Sequence, residues 1–411
     1  MAGRANEGLA KHWKNIVAVF LRLGATAYGG PAIMGILQAE LEQKRRWVSR
    51  DRFLEGLSLV NMLPGATATQ LSIFLGYVRG GWSGGLLAGL CFVLPGFLVM
   101  LGLSMAYAAL GVTPILRGAL YGLGPVVLGI FMVALYRLGR SAVQTVSQAI
   151  IALGAAALVL SPLGVAAILL LAASSGLLLF HPRTARTVVA SVATMVGAVA
   201  MAWWSMSVPV VTTARGAPLP PGLVEVGAYF FTVGAFTVGG GLTMIAFIED
   251  QVVHQFHWLT AQEFIDGLAL GQFTPGPVLM LAAYVGYKMA GVAGAAVAAG
   301  AAFLPSFILM LAVLPLLDRV RTLTWMRAVM QGVGPAVIGI LAVSLLRLAP
   351  HALPDFFAIA ILIATVAALL FWRPGTIRLM IAGALLGVLR SRLLSLPGVK
   401  AARELGLSAR L

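Results

Sequence analysis

Two stretches of this chain hold residue types suited to gripping an anion. Asn61–Gln70 reads Asn-Met-Leu-Pro-Gly-Ala-Thr-Ala-Thr-Gln, and Gln272–Leu281 reads Gln-Phe-Thr-Pro-Gly-Pro-Val-Leu-Met-Leu. Each puts a polar amide three residues before a Pro-Gly pair, in the middle of a long apolar run. Proline removes a backbone donor and glycine relaxes the dihedral constraint, so a helix passing through either point must open there. Inside a bilayer, open backbone is tolerated only where it is buried in protein or lines a polar cavity. Short helices meeting at such a break aim N–H groups and partial positive charge at the gap, which suits an oxyanion. The two breaks are therefore expected to face one another across a binding site, as at the repeat interface of inverted-repeat carriers.

In the first half the expected donors are backbone N–H groups after Gly29-Gly30-Pro31 and after Pro64-Gly65, helped by Asn61, Thr67, Thr69 and Gln70. In the second they follow Gly239-Gly240-Gly241 and Pro275-Gly276-Pro277, with Gln272 and Thr274. The competing reading is that the glycines only let helices pack closely, and for a lone Gly-Gly that is the better one. Two ionisable residues lie within apolar runs, Arg22 before the first break and Lys288 beside Gly286-Tyr287. Such residues are costly at membrane depth, so both are candidates to balance a dianion, with snorkelling to the interface as the alternative. Glu55 and Asp266 stand nine residues before Pro64 and Pro275 and are candidates to carry a coupling proton, or else cap or pair locally.

The elements that must position these groups are membrane helices. Of the 411 residues 60% are hydrophobic and 10% charged, and the mean hydropathy is +0.98. Soluble domains carry roughly 25% charged residues, so an integral membrane protein is expected. Runs such as 84–109, 118–138 and 294–317 are long enough to span a core of about 30 Å, and they lack the alternation of barrel strands. The fold class is thus all-α and membrane-integral.

Comparing the chain with itself exposes a duplication. At a shift of 210, Phe20 meets Phe230, Gly24 meets Gly234 and Gly29-Gly30 meets Gly239-Gly240. At 211, Trp47 meets Trp258, Glu55 meets Asp266 and Pro64-Gly65 meets Pro275-Gly276. Back at 210, Pro95 meets Pro305, Arg117 meets Arg327, Gly124-Pro125 meets Gly334-Pro335 and Arg137 meets Arg347. The arginine pairs read first as interface anchors. Beyond them Leu178-Leu179-Phe180 resembles Leu369-Leu370-Phe371 at a shift of only 191, which would put 19 extra residues, about one span, inside the first half. One extra crossing inverts the second half. Charge agrees: one connector carries Lys44, Arg45, Arg46, Arg50 and Arg52, while its counterpart has Glu249, Asp250, Glu263 and Asp266 with His254 and His257. The positive-inside rule puts these connectors on opposite sides, with the N-terminus inside. About 10–13 membrane segments follow, in repeats 1–207 and 223–411 joined by a proline-rich linker, 208–222. Each broken element either crosses or re-enters.

Other chemistries are poorly represented. The net charge of +15 sits mainly in connectors, so it speaks for the lipid bilayer and not for nucleic acid. The single cysteine, Cys91, has no partner for a disulfide within the chain. His254 and His257 have no further ligand cluster, and no Walker lysine or nucleophile–base pair is present. No cleavable signal peptide is evident. Neither an enzyme nor a cofactor is expected.

Several of these motifs together resemble the chromate transporter family in its long, two-domain form. They are Phe20–Pro31, Lys44–Trp47, Asn61–Gly65, the run Leu75-Gly-Tyr-Val-Arg-Gly-Gly-Trp and Ala88–Pro95 in the first half, with Phe231–Gly241, Trp258–Phe264 and Gln272–Pro277 in the second. The resemblance covers about 20–140 and 225–350. It implies an inner-membrane secondary carrier that exports chromate and gives chromate resistance, with sulfate, the isosteric dianion, as the alternative substrate. It leaves room for a homodimer. Many members carry Pro-Gly-Pro-Asn and then an acid where this chain has Pro64-Gly65-Ala66-Thr67-Ala68-Thr69-Gln70, so the polar character is kept and the acid is not.

Overall fold

The computed structural model describes residues 2–28, 32–110, 113–161, 163–182, 184–207, 221–238, 241–316, 324–372 and 374–394. Gly29, Gly30, Pro31, Gly239, Gly240 and most of the linker lie outside the described residues. Among those described there are helices and no strands. The first half runs α1 (Ala2–Thr26), α2 (Ala32–Gln38, continued as a π-helical turn Ala39–Lys44), α3 (Arg50–Met62), α4 (Thr67–Leu110), α5 (Pro114–Ala142), α6 (Val146–Leu158), α7 (Val165–Phe180) and α8 (Ala185–Ser207). The second runs α9 (Leu223–Phe236), α10 (Leu242–Ile248, continued as a π-helical stretch Glu249–Gln255), α11 (Ala261–Phe273), α12 (Leu281–Val313), α13 (Thr324–Ala352), α14 (Phe356–Phe371) and α15 (Thr376–Leu394).

The broken elements re-enter. Each of α3 and α11 is 13 residues, about 20 Å, too short for a core of about 30 Å. Gly56 of α3 lies against the Phe74 ring of α4, and Gly267 of α11 against the Tyr284 ring of α12; a Cβ on either glycine would come within 2.5 Å. Gly56 and Phe74 are equidistant from Gly65, and Gly267 and Tyr284 straddle Pro275-Gly276, so each stretch folds back at its Pro-Gly tip. The chain then turns again. Gly80 and Gly81 (φ/ψ −142/22 and 64/−154) break α4, and Ala290 and Gly291 (−144/30 and 62/−149) break α12 in the same way. The return arms pack closely, with the Cβ position of Gly76 2.5 Å from the Gly84 carbonyl oxygen and that of Gly286 2.3 Å from that of Gly294.

The halves are inverted. The 82–110 arm of α4 meets Phe307 at Gly89, the Pro275 carbonyl at Gly96, Thr274 at Met100 and Asp266 at Tyr107. Moving along it therefore leads from the tip of the second-half hairpin out to that hairpin's base. The first-half hairpins enter from one face of the molecule, the near face, and the second-half hairpins enter from the opposite, far face.

The remaining helices exchange partners. Helix α5 packs on α15 through Gly118, Gly122, Gly383 and Gly387, while α13 packs on α7 through Gly332 and Gly176 and on α6 through Gly339. Small residues four apart let the backbones approach this closely. Thr145 caps α6 and Asp355 caps α14. The repeat thus continues at 210–211 to its end, with α6 matching α14 and α7 matching α15. This corrects the 191-residue register: apolar lipid-facing residues interchange freely, so Leu-Leu-Phe matched by chance. The unpaired helix is α8, which lies against α7, follows the completed repeat and returns the chain to the far face, where α9 starts. At that face Asp355 accepts from Tyr121 of α5 and Arg390 of α15. Partial burial raises its pKa, but these donors and the Ala358 N–H outweigh that and hold it below the usual carboxylate range.

Glycine at 122 has no substitute on this reading, because its Cβ would lie 2.0 Å from the Gly383 oxygen, whereas Gly102 has open space. Helix propensity favours Ala over Gly by about 1 kcal/mol, and overpacking costs about 1–3 kcal/mol. Gly122→Ala is expected to lower the detergent melting temperature and Gly102→Ala to leave it unchanged or raise it.

Candidate functional site

Each hairpin tip is bonded to the opposite half. Gly65 N–H donates to the Thr237 carbonyl at 2.6 Å, and Gly276 N–H donates to the Ala27 carbonyl at 2.8 Å. Since Thr237 matches Ala27 and Gly276 matches Gly65, these two bonds are one contact repeated about a pseudo-two-fold axis. Each Pro-Gly tip is bonded to the end of the other half's first helix. Both glycines have positive φ, +127° at Gly65 and +93° at Gly276, where an L side chain is strained.

Around Gly65 the tip is tightly held. Ala66 N–H donates to Ser306 Oγ at 2.8 Å, and Gln70 Nε2 donates to the Pro64 carbonyl at 2.7 Å. Thr69 and Gln70 are fully buried, and Thr69 Oγ1 and Gln70 Oε1 have no protein partner. The start of α4 supplies first-turn N–H groups at Thr67–Thr69 that have no helical acceptor. In the second half Thr274 Oγ1 bonds Leu270 O and Met100 Sδ, while Gln272 is half-buried. Gly276 has open space at its Cβ position, and Pro275 and Pro277 are buried. Gly241 starts α10 with φ +92°. The structure therefore places Pro64, Gly65, Thr67, Thr69 and Gln70 at the first tip and Thr274, Pro275, Gly276 and Pro277 at the second, each tip bonded to the opposite half. Asn61 lies on the exposed face of α3, one turn from the tip, and Arg22 lies on the exposed face of α1.

Lys288 is placed elsewhere. It stands at the base of its hairpin, with Nζ 2.7 Å from Glu263 and 5.9 Å from the centre of the Tyr107 ring. Asp266 is buried beside this pair, accepting from Tyr107 Oη at 2.8 Å and Gln262 Nε2 at 3.0 Å. Its counterpart Glu55 is only partly buried and pairs with Arg52. Sequence reasoning missed Ser306, Tyr107 and Thr237. Ser306 had a signal, since it follows Pro305 of the repeat; the Tyr107–Asp266 contact joins the two halves and had none.

The two hairpins differ in their surroundings. Ile265 is 3% exposed and lies 3.5 Å from the Cβ position of Gly124, between α5 and the Ala352 end of α13. The matching Leu54 is 44% exposed, and the matching glycine, Gly334, meets only Ala142. Likewise Ala269 is buried while its counterpart Ser58 is exposed. The exposed face of α3 carries Asp51, Leu54, Ser58 and Asn61, whereas on the equivalent face of α11 Ile265 and Ala269 are buried, Gln272 is half-buried and Gln262 is exposed. A water-borne thiol reagent is expected to modify a Leu54→Cys variant at least about tenfold faster than an Ile265→Cys variant, tenfold corresponding to about 1.4 kcal/mol of closure. Equal rates would mean that the α3 face looks onto lipid.

No group of three or more metal-ligating side chains occurs among the described residues. A family model described as "Chromate transporter" matches residues 14–179 and 224–388, two blocks that leave out α8. The chain is 32% identical over 376 residues to a chromate transport protein of Cupriavidus metallidurans, covering 91% of this chain and 92% of that one. It is 33% identical over 368 residues to a probable chromate transport protein of Synechococcus elongatus, covering 88% and 90%. A chromate transport protein of Pseudomonas aeruginosa is 31% identical over 349 residues, covering 82% and 81%. No solved structure matches the chain.

Proposed function

The chain belongs to the chromate transporter family, and on that premise we propose that it exports chromate by alternating access, powered by an ion gradient. The observation that carries this reading is the pair of inverted Pro-Gly tips, each bonded to the opposite half about a pseudo-two-fold axis, with α3 exposed at Leu54 where the matching Ile265 of α11 is buried. A carrier needs a central site and a barrier that moves from one side of it to the other. The tips supply the site. First-turn N–H groups of α4, Thr67 and the orphaned Thr69 hydroxyl are donors suited to a dianion, and Arg22 supplies positive charge on the near side.

Orientation follows from charge. The near-face connector bears Lys44, Arg45, Arg46, Arg50 and Arg52, which the positive-inside rule assigns to the cytoplasm along with the N-terminus. The uncovered α3 face then opens toward the cytoplasm, the side from which an exporter loads. Glu55 and Asp266 are the proposed coupling residues.

Uptake into inverted vesicles holding the purified protein tests the proposal. Chromate should accumulate when a gradient is imposed, with sulfate as a weak competitor. Accumulation of sulfate in preference to chromate would make the chain a sulfate carrier. No accumulation of either anion by folded protein would overturn both readings.

A further inference from the structure

Two arginines related by the repeat are held identically and yet differ in their acidic partners. Arg347 donates through Nη2 to the Val159 carbonyl at 2.9 Å, and Arg137 donates through Nη2 to the Leu369 carbonyl at 2.9 Å. Val159 and Leu369 are themselves 210 residues apart, so each guanidinium is anchored on the same carbonyl of the opposite half. At the far face Arg347 also donates through Nη1 to Asp250 at 2.9 Å. That bond ties the π-helical stretch after α10 to α13, closing the face against which α11 is buried. The residue matching Asp250 is Glu40, in the π-helical turn after α2, and it does not reach Arg137. Instead Glu40 bonds Arg45 Nε at 2.7 Å and lies 3.4 Å from Lys44 Nζ, and Arg137 is exposed.

Accepting the alternating-access reading, we propose that Asp250–Arg347 and Glu40–Arg137 are two gate pairs, closed in turn at the far and near faces. The structure holds the first pair made and the second parted. Closing the near face brings the α2 turn to α5 and delivers Glu40 to Arg137, while Asp250 leaves Arg347. Three features suit this exchange. Arg137 already sits on its carbonyl anchor, so only the acid must travel. The partners that hold Glu40 in this state, Lys44 and Arg45, are exposed, and exposed ion pairs contribute little, so they release it readily. Both acids lie in π-helical stretches, which occur disproportionately at functional sites. In the second half Gln255 and His254 stand where the first has Arg45 and Lys44. Gln255 bonds Asp250 at 2.8 Å, and His254 is taken by Glu249 at 2.7 Å, so no lysine or arginine of this connector competes with Arg347.

The charge-swapped variant Glu40→Arg/Arg137→Glu tests a contact that the present state does not contain. Glu40→Arg alone and Arg137→Glu alone should each lower chromate flux about tenfold or more, tenfold corresponding to about 1.4 kcal/mol of lost coupling, and the swap should restore most of it. Asp250→Asn should raise labelling of Ile265→Cys from the far side and lower labelling of Leu54→Cys. Both labels are read in folded protein carrying Cys91→Ser. If the swap gives no rescue while Leu54→Cys and Ile265→Cys still exchange accessibility during transport, the gate pairs are wrong and alternating access stands. If accessibility never exchanges, alternating access fails and takes the gates with it.

Discussion

Gly65→Ala is expected to cut chromate flux about 100-fold per folded molecule, and Gly276→Ala about tenfold, two equivalent glycines with unequal costs. The shared part is backbone strain, because φ is +127° at Gly65 and +93° at Gly276, and a Cβ there costs about 1–3 kcal/mol. The unshared part is steric. A Cβ on Gly65 would lie 2.5 Å from Ser306 Oγ and 2.6 Å from Gln70 Nε2, while that on Gly276 meets nothing within 4 Å. Displacing Ser306 and Gln70 breaks the bonds that hold Ala66 N–H and the Pro64 carbonyl, each leaving a buried group unpaired at about 1–3 kcal/mol. Because about 1.4 kcal/mol is a factor of ten, one such loss added to strain separates the variants by about tenfold. Initial rates in inverted vesicles, normalised to folded protein by gel filtration, measure the difference. Equal and small losses would reduce both glycines to packing residues.

The sequence made this site visible because its signal lies in Pro and Gly, which apolar drift does not imitate. Pro64-Gly65 and Pro275-Gly276 marked both tips, and the charge contrast between the 44–52 and 249–266 connectors anticipated the inversion seen in the contacts of the 82–110 arm. Crossing against re-entry was not legible. Two 13-residue arms on either side of a Pro-Gly pair look alike whether they continue or fold back, and the contacts of Gly56 with Phe74 and of Gly267 with Tyr284 distinguish them. The register after Arg137 failed for a related reason: α6 and α7 are almost wholly apolar, and the surviving markers, Thr145 with Asp355 and Gly176 with Gly387, are few. Lys288 looked like a ligand because Glu263, its partner, lies on the opposite arm of the hairpin. Nor does sequence distinguish Leu54 from Ile265 by exposure. Both are apolar residues at matched positions, and only the helices packed against them set them apart.

The far-face network around Asp266 sets the second large effect. A carboxyl that is 5% exposed and bonded to two neutral donors, Tyr107 and Gln262, with Lys288 engaged by Glu263, is an expensive choice of residue. Asparagine would fill the same volume and keep an acceptor for Tyr107 Oη, and the Gln262 amide can turn to face its new NH₂ group. Asp266→Asn therefore spares the packing and removes only the ability to gain and lose a proton. If Asp266 carries the coupling proton, flux driven by an imposed pH gradient should fall about 100-fold, a coupling of about 3 kcal/mol, while chromate–chromate exchange across the membrane continues. Tyr107→Phe provides the contrast, since it deletes one hydrogen bond and leaves the titrating group in place, so it should retain the gradient response at reduced rate. A purely structural Asp266 would give the opposite order: Asp266→Asn would keep its gradient response, and Tyr107→Phe, which loses one of the bonds between the halves, would be the more damaged protein.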